Sequence, residues 1–548
     1  MKFVDQPGRR KFIFKSALLA AGFPFLGSYL TSCQPTKLKS IKGSLAGPSS
    51  KAGHLLRTGI SIVSEDIEEA EVVIIGGGVA GLAANRWLHQ NSGKKVVLLE
   101  LEDQTGGNAA AGKNEHTAFP WGAHYLTLPN NNLTELLNFL KEEGVITGYD
   151  EKGLPIYNEY YLCFDPEERL FINGYWQQGL IPNWGVPEPE LKEIERFLAR
   201  MEIFRWAKGS DEKYAFAIPI TTSSSDEFYR RLDKVRMQEW LQQENFTSPH
   251  LRWYLNYCCL DDYGSRLEDT SAWAGIHYFA ARKATGANTD SDRVLTWPEG
   301  NNWLTNRLRK IGEENIRTNS LAYKISFLHD RVAIDYRNVT TNQVHRLLAR
   351  QCILATPQFV NERLLSNLPL KEPRPVNDFT YSTWLVANIT VKQLPLGRGT
   401  PLCWDNVIYG SPALGYVYAN HQQVQLYPPK QTITFYYPLT GQDLRKVRGE
   451  AYQKSKEYWQ DLVVTELEKP HPNIRSQVET LDSWIWGHGM IRPTVGFIWG
   501  EQREKATQSI QNKIFFAHSD LSGISVFEEA FYQGINAAQQ ILERNQDA

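Results

Sequence analysis

Charge of one sign is what this 548-residue chain most lacks: 59 Lys and Arg stand against 61 Asp and Glu, a net −2. With no basic excess to neutralise phosphates, a nucleic-acid partner is excluded. Cysteine is scarce too. The six, at 33, 163, 258, 259, 352 and 403, show no metal-ligand spacing and no disulfide framework, so no metal is expected. A long apolar run is missing as well. The stretch "ALLAAGFPFLGSYL" (17–30) is short and is broken by Gly22, Pro24 and Gly27, so it does not read as a membrane-spanning helix. What is present is ordinary for a globular chain, 42% hydrophobic and 22% charged, apart from 16 tryptophans. These are either core or the walls of an aromatic pocket.

The broken apolar run follows Arg9-Arg10-Lys11-Phe12-Ile13, which resembles a twin-arginine signal, an address read by the twin-arginine export machinery. An ordinary signal peptide with two chance arginines is the alternative. "LTSC" (30–33) resembles a lipobox, which makes Cys33 a lipid anchor to the membrane; a plain cleavage site reads equally well. Residues 1–33 are therefore set aside as a signal peptide, and the expected location is periplasmic or lipoprotein-anchored. Residues 34–68, rich in Ser, Gly and Lys, read as a flexible tether.

The folded body opens on "VVII" (72–75), a β-branched run expected as a strand buried on both faces. It leads into Gly76-x-Gly78-x-x-Gly81 and a helical pattern over 82–90. Gly76 suits the tight turn, Gly78 lets backbone approach a pyrophosphate, and Gly81 lets helix and strand pack closely. The diphosphate is expected at the helix N-terminus. The second strand, "KKVVLLE", ends at Glu100, an acidic group placed for ribose hydroxyls. Strand, glycines, helix and acid together specify dinucleotide binding.

Glu100 is followed by five residues and then Gly106-Gly107. Here the chain resembles the flavoprotein superfamily of flavin-containing amine oxidases, phytoene-type desaturases and protoporphyrinogen oxidases. In that superfamily the pattern E-x5-G-G closes over FAD, commonly with arginine next; this chain has Asn108. The resemblance continues in order through "PWGAHY" (120–125), "RLDKVRMQEWL" (231–241), "TWPEGNNWLTNRLRK" (296–310), "NIRTNSLAYKI" (315–325) and "CILATP" (352–357). It ends with "NKIFFAHSDLSGISVFEEAFYQGINAA" (512–538). It implies adenine contacts near Ala322, a ribitol contact from Asp520, and a helix starting at Phe527-Glu528 whose N–H groups face the flavin. A helix N-terminus stabilises the anionic reduced ring. No cysteine or histidine stands where monoamine oxidases attach flavin, since Ser522-Gly523-Ile524 occupies that stretch, so non-covalent FAD is expected.

The expected fold class is α/β. A discontinuous Rossmann-like FAD-binding domain (69–130, 296–375 and 480–548) carries an α+β substrate domain (131–295 and 376–479) with an antiparallel sheet. Catalytic candidates are His488, set among glycines and tryptophans in "WIWGHGM", and His124 in "GAHY"; each is also readable as structural. Trp484 and Trp486 either wall a site for a cation or pack on the sheet. Cys258-Cys259 reads as buried small apolar groups. The resemblance implies an oxidoreductase acting on a small molecule. Three readings stand: an exported amine or amino-acid oxidase returning electrons to oxygen, a desaturase or dehydrogenase passing them to a quinone, and a flavoprotein kept for binding or assembly. FAD is made in the cytosol, so a lobe folded around it suits a pathway that exports folded proteins.

Overall fold

The computed structural model describes residues 41–60, 67–369, 374–423, 428–544. The twin-arginine pair, the lipobox and Cys33 lie outside them. Residues 41–58, expected in a flexible tether, are docked. They form a two-residue strand, β1 (Leu45–Ala46), and two single-turn helices, α1 (Ser50–Gly53) and α2 (Leu55–Thr58). Their anchors are long-range contacts that the composition of the segment does not announce.

The dinucleotide motif folds as its residue types dictate. β2 (Ile67–Ile75) runs into α3 (Val79–Asn91) and then β3 (Val96–Leu99). Val72 and Ile74 enter one apolar cluster while Val73 and Ile75 enter another, so the strand is covered on both faces. The chain then builds part of a second lobe: β4 (Glu168–Ile172), β5 (Tyr175–Gln178), and the helices α4 (Glu188–Trp206), α5 (Pro249–Tyr263) and α6 (Ala272–Ala280). It returns through β6 (Ile316–Arg317), β7 (Ser320–Leu328), β8 (Arg331–Asn338), β9 (Val344–Leu354) and α7 (Gln358–Leu364). A second excursion makes β10 (Tyr381–Val391), β11 (Asp405–Ile408), β12 (Gly415–Tyr418), β13 (Gln431–Leu439), α8 (Leu444–Gln453) and β14 (Val478–Ile491). The chain closes on β15 (Ile514–Phe516) and α9 (Phe527–Arg544).

Two sheets result. The first has the order β6-β3-β2-β9-β8-β7, with β15 beside β9. Its centre, β3-β2-β9-β15, is parallel, and β7-β8-β9 is an antiparallel meander. The second has the order β1-β14-β10-β13-β12-β11-β4-β5 and is mostly antiparallel. One boundary therefore differs from expectation. β14 spans the expected return point at 480 but belongs to the second sheet along its whole length, because its alternating inward residues Leu481, Ser483 and Ile485 pair with β10. β4 and β5, from the first part of the expected substrate domain, complete the same sheet. α9 packs on α3 so closely that a Cβ at Gly534 would meet the Ala80 carbonyl oxygen at 2.1 Å. Among the described residues the cysteines are all buried and unpaired, Cys258 and Cys259 included.

Candidate functional site: a dinucleotide cradle beside an aromatic chamber

The cradle is built of backbone. Gly76 has φ +107°, outside the range of most L-residues, and a Cβ there would meet the Ala355 carbonyl oxygen at 2.5 Å. At Gly81 a Cβ would lie 1.9 Å from the Gly76 oxygen, whereas at Gly78 it would meet nothing within 4 Å. Gly78 therefore opens onto free space at the start of α3, where no side chain caps the first-turn N–H groups. That is an anion site. The Glu100 carboxylate accepts the N–H groups of Gly77 (2.6 Å) and Glu102 (2.8 Å). Burial pushes its pKa up to about 7, against the pull of those two amides. Gly106 donates its N–H to the Gly77 carbonyl (2.8 Å), tying the glycine pair to the fingerprint. Gly107 and Asn108 are exposed between the buried Gly106 and Ala109, so the turn is accessible beside the cradle. Asn108 donates its side-chain amide to the Gly489 carbonyl, and its own carbonyl accepts from Ala123 N–H (2.9 Å).

Ala322 lies on β7 two residues beyond Ser320, whose N–H donates to the Glu100 carbonyl (2.7 Å); it is near the expected adenine end. Asp520, expected near the ribitol, is buried and held by protein groups. Its carboxylate accepts from Tyr381 Oη (2.5 Å) and Gln358 N–H (3.0 Å) and pairs with His518 (3.0 Å). Burial alone would raise its pKa, but these partners hold it below the usual range. The group thus fastens the turn before α9 to α7 and β10. Phe527 packs under Phe531, and the acids of the first turn of α9 point into protein: Glu528 to Thr127 (3.1 Å) and Glu529 to Ile220 N–H (2.6 Å).

The two candidate histidines lie in different surroundings. His488 stacks on Phe359 at 4.0 Å with Tyr381 at its edge, and burial followed by Arg448 lowers its pKa to about 3. His124 stacks on Tyr436 at 4.5 Å, with Tyr125 at 5.0 Å and Trp404 at 5.6 Å. It also lines a small pocket with Trp297, Trp404 and Gln422. Burial lowers its pKa to about 4, leaving a neutral imidazole. Trp484 stacks on Trp121 at 5.2 Å, and Trp486 donates to the Trp121 carbonyl (2.6 Å), so both pack on the "PWGAHY" segment.

Behind the aromatic rings lie two carboxyls that sequence reading missed. Asp261, on α5, accepts from Tyr125 Oη (3.4 Å), and Asp405, at the start of β11, accepts from Tyr257 Oη (3.5 Å). Both are partly accessible although their neighbours are buried. Burial raises both pKa values, reinforced at Asp261 by Asp262 and at Asp405 by Asp261 and Glu168. Arg282, the cation acting on this group among the described residues, is already paired with Asp262 (3.0 Å). The consecutive acids of "CCLDDYG" in an otherwise apolar helix were the available signal.

Comparison with known proteins accords with this geometry. The profile of an NAD(P)-binding Rossmann-like domain matches residues 74–141. Oxidoreductase PigB of Serratia sp. (strain ATCC 39006) is 22% identical across 96% of this chain and 82% of its own length. Human amine oxidase [flavin-containing] B is 28% identical over a stretch covering 20% of this chain and 22% of that protein. The solved cyclohexylamine oxidase from Brevibacterium oxydans IH-35A superposes with a TM-score of 0.61 at 14% identity, covering 87% of this chain and all of its own. The chain shares the fold of solved flavin-dependent amine oxidases. The residues here fit a dinucleotide: the open Gly78, the uncapped α3 terminus, and the exposed Gly107 and Asn108 beside them.

Proposed function

We infer that the chain is an FAD-dependent oxidoreductase, and we propose that it oxidises an amine or amino acid with oxygen as the acceptor. One observation carries the choice of substrate: the partly accessible carboxyls Asp261 and Asp405 stand behind the rings of His124, Tyr125, Trp404 and Tyr436, with no free cation near them among the described residues. An apolar substrate leaves such carboxyls unanswered, whereas an ammonium group answers them and lies well against aromatic faces.

FAD, when bound, supplies the two-electron acceptor. Gly78, the α3 terminus, Glu100 and the Gly106–Gly107 turn hold it without a covalent link. The chamber's own groups attract the cation, orient it and take its proton. Asp261 in its ionised form is placed to accept that proton, since its raised pKa brings acceptor and ammonium closer in proton affinity. Neutral His124 and the surrounding rings exclude water and fix the angle of approach. The export reading is proposed with it: a twin-arginine leader delivers the protein to the periplasm already loaded, and Cys33 anchors it to the membrane by lipid.

The test is peroxide release from residues 34–548, measured in air against a panel of monoamines, diamines, amino acids and neutral apolar substrates. Peroxide with one cationic class supports the proposal. Quinone reduction with a neutral substrate and no peroxide from any amine overturns it. For export, Arg9→Lys with Arg10→Lys is expected to leave flavin-loaded protein in the cytoplasm; unchanged export removes that part.

A further inference from the structure

The segment that follows the leader does more than connect. Its first part lies on the second sheet. Lys42 and Ser44 accept the N–H groups of Leu481 (2.8 Å) and Ser483 (2.9 Å), β1 pairs with β14, and Ile41 packs on the core beneath that sheet. Its second part lies on the first lobe. Ser49 donates its N–H and Oγ to the Glu102 carboxylate (2.8 and 2.7 Å), two residues past Glu100. Leu56 joins the cluster that contains Phe359 and Val360 of α7. Residues 41–58 thus form a strap across both lobes, tied at one end beside the cradle.

This strap brings positive charge to a corner whose nearby carboxylate, Asp520, is already held by Tyr381, Gln358 and His518. His54 and Arg57 are exposed, and the Arg57 guanidinium makes no ion pair with another described residue. Its charge acts on both His488 and Arg448. Arg448 is half-buried, and its side-chain bonds among the described residues go to backbone carbonyls: Gly487 (2.5 Å) and Tyr381 (3.5 Å). Carbonyls leave the guanidinium charge without a counter-ion, which a bound anion would supply. Asn108 binds the carbonyl of Gly489, two residues along β14 from Gly487. The glycine pair Gly106-Gly107 therefore lies between the strap's tie at Glu102 and the cationic corner next to Gly489. The turn itself carries no cation there, because the residue after the glycine pair is Asn108.

We propose that Arg57 of the strap and Arg448 of α8 bind the phosphate groups of the dinucleotide, making the post-leader segment part of the cofactor site. The inference rests on the FAD reading above. It gives the strap a chemical role: an anion bound between Arg57 and Arg448 joins the strap, the first lobe and the second.

The test is flavin release. Holoenzyme is diluted, and the rise of free-flavin fluorescence is followed for wild type, Arg57→Ala, Arg57→Lys and Arg448→Ala. Proteolysis within residues 50–58 reports strap docking independently. About tenfold faster release is expected for each alanine variant, the value of one charge-assisted contact, with Arg57→Lys close to wild type and strap protection unchanged. Equal release from wild type and both alanine variants overturns this inference alone. Faster release from Arg57→Ala with loss of strap protection assigns the effect to docking and also overturns it. A wild-type chain that takes up no FAD overturns the functional reading on which the inference depends.

Discussion

The cradle and the chamber are made of different material. The cradle is backbone: glycines at 76, 78, 81, 106 and 107 remove side chains so that main-chain amides approach a ligand. The chamber is side chain: rings and carboxyls from 124–125, 257–261, 404–405 and 436 converge from the "PWGAHY" segment, a helix and the second sheet. Backbone sites need fixed local spacing, so they leave a mark in the sequence. Side-chain sites need only convergence in space, which leaves almost none.

The contrast is sharpest where a single methyl group is enough to break the cradle. Gly81→Val is expected to abolish it, since a Cβ there meets the Gly76 oxygen at 1.9 Å with no flexible neighbour to yield. Flavin absorbance per purified chain should fall below about a tenth of wild type. Occupancy near wild type would show that the helix start is not held as described.

The legibility of the two regions follows from this. The strand, glycine turn and helix over 72–91 were readable because period, β-branching and glycine placement all agree there. β10, β12 and β13 supply the antiparallel sheet expected of the substrate domain. The assignment of β14 to the second sheet was not readable, because it depends on its partner β10. The docking of 41–58 was not, because Ser49 and Glu102 meet only in the fold. His124 and His488 look alike in sequence, each near glycine and aromatic residues, and both are stacked in the fold; only the packing around them makes His124 the pocket-lining ring.

The next largest effect belongs to the chamber. Asp261→Asn removes the charge but keeps the shape, and kcat/KM for the amine should fall about a hundredfold with flavin content unchanged. A fall in flavin content instead would erase the boundary between the two regions. Because burial and Asp262 raise the Asp261 pKa, the acidic limb of the kcat/KM profile should lie above the ordinary carboxylate range and vanish in Asp261→Asn. Stability has the opposite slope. Glu100 and Glu529, both pushed up to about 7 by burial, bind protons more tightly folded than unfolded. Their contribution is complete below the ordinary carboxylate range and is lost as pH rises through about 7, so thermal melts should show Tm falling across that window.

Smaller effects complete the series. Trp404→Leu removes one face of the aromatic wall and should raise KM about fivefold with kcat nearly constant, a value in keeping with one cation–π contact. His488→Phe preserves the stack on Phe359 and should change turnover by less than about twofold. A large loss there would move proton transfer from the chamber to β14.

The described cysteines have a consequence for the compartment proposed. Cys163, Cys258, Cys259, Cys352 and Cys403 are all buried, and burial pushes every thiol pKa upward, Cys259 and Cys403 to about 12. Exchange chemistry requires an accessible thiolate. In the folded chain these five thiols are therefore indifferent to the redox potential around them, and they become substrates for disulfide-forming catalysts only in a chain that crosses a membrane unfolded.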